Sequence, residues 1–180
     1  MVDFKHSRNQ AFYDYWLSLP RDGVLPHRRS FLPEAIPSLL SSMVIYELIS
    51  PEFIKIRLFG SSLQDRYGIN RTGTNYLDMV ENHRRSKASQ AMWSQAKKPC
   101  GMHAFIEQEL NSGRIAYIEA LGLPVLSDQS DTPLLLFQSN EIVKEGRDFN
   151  GHEEDFGFKR LTVARRSFLD LGAGVSNYSD

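Results

Sequence analysis

The pattern of apolar residues along this chain predicts an α+β fold: a five-stranded antiparallel sheet with helices across one face, plus an N-terminal helix and a C-terminal tail. Three observations carry the prediction. Residues 43–49 and 53–59 are β-branched and aromatic-rich, and only the turn Ser50-Pro51-Glu52 separates them, which makes a hairpin. Three more strand-like runs lie at 102–110, at 114–121 after the turn Asn111-Ser112-Gly113, and at 134–143 after the polar loop 127–132. Between the two groups, residues 74–80 suit a short helix and residues 81–96 a longer one that Pro99 stops.

Each element has a local reason. Ser7-Arg8-Asn9-Gln10 has the form of a capping box, and behind it Phe12, Tyr15, Trp16 and Leu19 share one helical face. Pro20 and Asp22-Gly23 end that helix. Its aromatic stripe needs a surface to cover, either on its own domain or on a second subunit. Residues 24–37 carry Pro26, Pro33 and Pro37 around His27-Arg28-Arg29, which marks irregular surface chain; the Arg pair offers an anion contact but reads first as a solvated loop. After the second strand, Ser61 or Ser62 offers an N-cap oxygen for one short helix, and Gly68 stands where positive φ is needed. In the long helix, Ala88, Ala91, Met92 and Ala96 form a small-residue stripe opposite Arg84, Arg85, Lys87, Lys97 and Lys98. Beyond Val143 the chain is polar, and residues 161–171 fit a helix through Leu161, Ala164, Phe168 and Leu171 or a strand equally well.

Composition removes several classes of function. A chain of 180 residues that is 41% apolar can bury a core, and its formal net charge of −1 argues against nucleic acid as a partner. Cys100 is the only cysteine, so neither an intrachain disulfide nor a cysteine-based zinc site can form. No apolar run reaches the ~20 residues of a membrane span, and the N-terminus lacks a signal-peptide core, which points to the cytoplasm. Hydrolase elbows, P-loops and His-Glu-x-x-His are missing. His152-Glu153-Glu154-Asp155 lacks the spacing of a made metal site.

The passage Leu58 to Gly73, a strand feeding one short helix that stops at Gly68, resembles the corresponding passage of PAS sensor domains. The order of strands and helices over residues 43–143 is similar to the PAS order throughout. Leu19-Pro20-Arg21-Asp22-Gly23, the lead-in with Phe31, Pro33, Ile36 and Pro37, Arg57-Leu58-Phe59-Gly60-Ser61, Thr72-Gly73 and Phe168-Leu169-Asp170-Leu171-Gly172-Ala173-Gly174 resemble small bacterial stand-alone PAS proteins. The resemblance implies strand order 2-1-5-4-3 and a sensory or signalling module acting through a small molecule or a protein contact. On this reading residues 1–42 are a helix and lead-in, 43–143 the PAS-like domain, and 144–180 a polar linker and docking segment. A homodimer and an unnamed signalling protein are the expected partners.

The resemblance also implies a pocket between sheet and helices. Strand alternation assigns Ile56, Leu58, Leu134, Leu136 and Gln138 to it, with Tyr46, Phe105 and Tyr117, under a roof of Leu63, Tyr67, Tyr76 and Met79. Ile45, Ile49, Phe59, Leu135 and Phe137 then face the other way, where Phe12, Tyr15, Trp16 and Leu19 serve as cover or dimer element. Gln138 resembles in position the glutamine that light-sensing relatives place beside a flavin; the alternative is a filled core with Gln138 satisfied by backbone. Neither flavin nor haem is expected. The flavin-type Asn-Cys-Arg-Phe-Leu-Gln run has no substitute in Ile69-Asn70-Arg71-Thr72, Cys100 lies off that helix, and His83 reads as solvent-facing and His103 as a hydrogen-bonded core or edge histidine. The reading is therefore a non-catalytic binding module. Two alternatives stand beside it: a pure interaction module with a filled core, and a small-pocket enzyme with Asp65, Asp78, Tyr46 or Tyr117 as proton-abstracting group.

Overall fold

The computed structural model of the protein describes residues 2–21, 23–111, 113–142 and 158–178. Its strands are β1 (Met43–Ser50), β2 (Phe53–Phe59), β3 (Cys100–Leu110), β4 (Ile115–Val125), β5 (Leu134–Ile142) and β6 (Phe158–Asp170). They form one sheet in the order β2-β1-β5-β4-β3-β6, and every pairing is antiparallel. The expected order 2-1-5-4-3 is present and is extended by β6, which runs along β3 from Cys100 opposite Asp170 to Leu110 opposite Phe158.

The C-terminal segment thus resolves as a strand rather than a helix. A register shift opposite Phe105 and Ile106 inserts Ala164 as an extra residue, so Leu161, Val163, Arg166 and Phe168 come to share a face. The polar stretch 144–157, with His152-Glu153-Glu154-Asp155, lies outside the described residues.

The α-helices are α1 (Ser7–Ser18), α2 (Ser61–Tyr67) and α3 (Arg85–Lys97), joined by 3-10 turns at Pro37–Ser42, Tyr76–Met79 and Asn82–Arg84 among others. The residue that caps α1 is His6 rather than Ser7: His6 Nδ1 accepts from the Arg8 amide at 3.1 Å. Burial first, and then the Arg8 charge, hold the imidazole pKa below its usual range, which keeps that lone pair available. At the other end Arg21 Nη2 donates to the Trp16 and Leu17 carbonyls at 2.6 and 2.7 Å while its guanidinium lies 4.3 Å from the Trp16 ring.

The α2 start is likewise not capped by Ser61 or Ser62. Its N-cap is Gly60, where a Cβ would sit 2.3 Å from the Ser41 carbonyl oxygen. The glycine lets the strand-to-helix turn pass directly over the preceding segment, and Gly68 at φ 69° closes the helix as expected. Because the blocking atoms are backbone, Gly60→Ala should destabilise the fold by about 1–3 kcal/mol. A thermal melt reads this, and an unchanged midpoint would show that residues 37–42 give way freely.

Both sheet faces are apolar, and each has its own cover. α2, α3 and the Tyr76–Met79 turn close one face over Tyr46, Ile54, Ile56, Phe59, Met102, Ala120, Leu135 and Phe137. α1 and residues 31–39 close the other over Met43, Ile45, Leu121, Leu123, Leu134 and Leu136. Phe12 and Trp16 are 0% exposed within the single chain, and Trp16 Nε1 donates to the Pro124 carbonyl at 3.1 Å. These two rings have no surface left for a second protomer, so a pairing of two copies would use other residues.

Candidate functional site

A chamber of about 80 Å³ lies between the sheet and its helical cover. Small residues make it. Ala104 on β3 and Ala120 on β4 stand side by side in register, and Ala88 and Ala91 of α3 face them, so each side stops a few ångströms short of the other. The expected small-residue stripe of α3 supplies the helical half of this gap. The rest of the wall is aromatic. Tyr46 meets Tyr76 and Phe137 edge-on with centroids 5.2 and 5.3 Å apart, and Phe59 meets Tyr67 at 5.3 Å. β6 completes the lining with Leu161, Val163 and Arg166.

Among the described residues the chamber's polar groups are phenols, one hydroxyl and one guanidinium, with no carboxylate in the lining. Burial pushes the Tyr46 hydroxyl pKa well above its ordinary value, and the neighbouring phenols Tyr76 and Tyr67 add to this. Burial raises Tyr67 and Tyr76 as well, against the opposing pull of Arg66 on Tyr67 and of Arg166 on Tyr76. All three phenols therefore keep their protons at neutral pH, the Tyr67 hydroxyl being already hydrogen-bonded to Gln108. Tyr46 is for the same reason unsuited to act as a base. Asp65 and Asp78 are exposed on their helical turns, so the carboxylates considered for proton abstraction stand outside the chamber.

Of the residues assigned to the pocket from sequence, the structure brings Tyr46, Leu63, Tyr67, Tyr76 and Met79 together around the chamber. Ile56 is buried in the same core without lining the cavity. The others face elsewhere. Leu58 is turned out by a β-bulge: Tyr46 pairs with Ile56 but Ile45 with Leu58, so Arg57 is the extra residue and parity reverses at Phe59. Leu58 is consequently 39% exposed and lines an outer groove with Arg28, Arg29 and Arg57, while Phe59 enters the chamber.

On β5 the assignment inverts. Leu135 and Phe137 look toward the α3 side, Leu134 and Leu136 toward α1, and Gln138 Nε2 donates to the Leu39 carbonyl at 3.1 Å. Gln138 is thus bonded to backbone on the face away from the chamber. Phe105 lies on that second face too, 4.9 Å from the His103 ring and beneath Arg165 at 4.5 Å, and Tyr117 alternates with Glu119 and Leu121 away from Ala120. Tyr15 and Leu19 pack with Phe12 and Trp16 in the α1 cover.

The α1 face contains a charged group that alternation did not single out. Glu119 is 0% exposed and accepts from the Lys5 amide at 2.9 Å, the His6 amide at 2.7 Å and His103 Nε2 at 2.7 Å. Burial alone would raise its pKa, but the bonds from His103, Lys5 and His6 outweigh it and hold the carboxyl below its usual value. With Glu119 ionised, His103 Nε2 must carry the proton. Asn9 then donates to the Glu119 carbonyl at 3.3 Å and accepts from Asn140 at 2.9 Å, which ties α1 to β4 and β5. The one available signal was an acid between Ile118 and Ala120 in an otherwise apolar strand.

A flavin or haem does not fit this arrangement. The chamber holds far less than the ~300 Å³ at which ligand pockets of ordinary size begin. α2 carries no cysteine, and burial raises the pKa of the Cys100 thiol at the start of β3. His83 has a side chain 78% exposed beside Glu81, and His103 is committed to Glu119 on the opposite face.

A family model described as PAS domain matches residues 4–137, and the chain belongs to that family, whose members are sensory modules. No curated protein matches the chain. Among solved structures it is similar to a LOV protein of Rhodobacter sphaeroides (14% identity, 63% of this chain and 68% of that one, TM-score 0.46). It is also similar to the PAS domain of a Colwellia psychrerythraea protein (14% identity, 61% and 95%, TM-score 0.44). A third likeness is to an RNA-binding light-oxygen-voltage receptor (14% identity, 68% and 35%, TM-score 0.44), of whose length this chain spans about a third. Among the described residues, no helix is long and apolar enough to cross a membrane.

Proposed function

We propose that this chain is a non-catalytic sensory module that takes a small molecule into the chamber between the sheet and α3. The observation that carries the reading is the hollow itself. Paired alanines leave space in a core whose opposite face, over α1, is filled by Phe12, Trp16, Phe31 and Leu136. Retaining such a gap costs stability, about 24 cal/mol per Å³ in one well-studied series. A ligand that filled it and met the Tyr46 and Tyr76 phenols would be favoured in one packing of α3 and β6 over another, and that differential affinity is what a signal requires. Because β6 supplies Leu161, Val163 and Arg166 to the lining, the C-terminal strand would sense the ligand's presence directly. The same reading includes a signalling partner protein and a cytoplasmic location, with which the single buried, unpaired Cys100 agrees.

Native mass spectrometry of the purified protein tests this. Wild type should carry a non-covalent small-molecule adduct that Ala104→Leu, which puts a larger side chain into the hollow, loses while staying folded by circular dichroism. A bare wild-type mass under gentle ionisation would favour an interaction module with a filled core.

A further inference from the structure

We infer that the ligand of this chamber is an amphipathic anion: a short apolar body in the hollow, with a carboxylate-like head held between the start of α3 and β6. The inference rests on the sensory reading above and names the ligand class for the same site. The chamber adjoins an outer groove of about 580 Å³, and Tyr76, Met79, Ala88, Val163 and Arg166 belong to the walls of both.

The charge of that groove is one-sided. Arg84 and Lys87 stand on the helical wall, Lys159, Arg160 and Arg166 on the strand wall, and among the described residues that line it Glu81 is the one carboxylate. Glu81 is drawn to His83 at 3.6 Å, and Arg160 to Glu109 at 3.5 Å. Among the described residues Arg84, Lys87 and Lys159 form no ion pair. The chain as a whole is net −1, so this concentration of cations does not follow from composition.

A basic surface alone would be read as a solvated face. Here an apolar cavity with no carboxylate among its described lining residues lies directly behind it, and Arg166 belongs to both walls, its guanidinium 5.6 Å from the Tyr178 ring and its Nη1 donating to the Tyr178 hydroxyl at 3.4 Å. A head group beside Arg166 would meet charge-assisted donors on both walls while the chain behind it displaced no buried charge. Size limits the apolar part. A cavity of ~150 Å³ takes a benzene ring, so the hollow suits a body of roughly three to five carbons.

The test uses the full chain with 13C-methyl methionine and three four-carbon probes: butanoate, butan-1-ol and butylamine. Butanoate should shift the Met79 and Met92 methyls, bind at least about tenfold more tightly than the alcohol, and weaken as sodium chloride rises. In Arg84→Glu/Lys87→Glu, where Arg84 is half-buried and Lys87 exposed and the fold is checked by circular dichroism, the ratio of butanoate to alcohol affinity should fall toward one. Equal affinity of butanoate and the alcohol in wild type would overturn the anion while leaving the chamber reading standing. Butanoate that binds without moving Met79 or Met92 would overturn it as a surface ion only, and a chamber that takes none of the three probes would overturn both readings.

Discussion

Glu119→Gln should cost about 1–3 kcal/mol or more, the penalty for leaving a buried donor without its charged acceptor. The carboxylate accepts from Lys5, His6 and His103 on its two oxygens, and an amide offers one acceptor and turns a donor toward a donor. Residues 4–6 should therefore leave the sheet first, and limited proteolysis near Lys5 should accelerate before global unfolding does.

The same site sets an acid limit. Glu119 has its pKa lowered by folding, so its contribution is complete above the ordinary carboxylate range near ~4.3 and is lost as pH falls through the lower folded value. His6, whose pKa is also lowered, is protonated more readily in the unfolded chain, so stability begins to fall as pH drops below ~6.5. Melting temperature should thus decline in two stages on the acid side. In Glu119→Gln the lower stage should disappear; its persistence would show that another carboxylate governs it.

The second large effect is expected from Phe12→Ala/Trp16→Ala. Each ring is fully buried under its own sheet, and truncations of this kind cost about 3–5 kcal/mol apiece. The pair together approaches the whole stability of an ordinary domain, about 5–15 kcal/mol. The double variant should be largely unfolded by near-ultraviolet circular dichroism at 25 °C, and each single variant folded with a lowered midpoint. A double variant that kept its melting temperature would mean that the α1 face is covered by something other than α1.

The fold was legible where local chemistry decides it: the hairpin through Ser50-Pro51-Glu52, the stop at Gly68, and the strand order that follows from the PAS resemblance. The site was legible only in part, and parity explains why. Residues 134–137 are apolar at every position because both faces of the sheet are buried, so alternation could not tell Leu135 and Phe137 from Leu134 and Leu136. Bulges at Arg57 and Ala164 broke the period-two rule in β2 and β6, turning Leu58 outward and bringing Leu161, Val163, Arg166 and Phe168 to one face of β6. The roof residues Leu63, Tyr67, Tyr76 and Met79 were placed together because helical turns after Gly60 can close only one side of the sheet. A Leu136→Trp substitution, which strand alternation alone would aim at the pocket, instead drives an indole into the packed α1 face.

The most direct test of an open chamber on one face and a filled core on the other is methionine methyl NMR under xenon pressure. Met79, Met92 and Met102 line the chamber, whereas Met43 is buried in the α1 core. Xenon enters apolar cavities without needing a polar partner. The methyls of Met79, Met92 and Met102 should shift in a saturable way while Met43 stays still. A shift at Met43, or none at the three chamber methionines, would contradict the account.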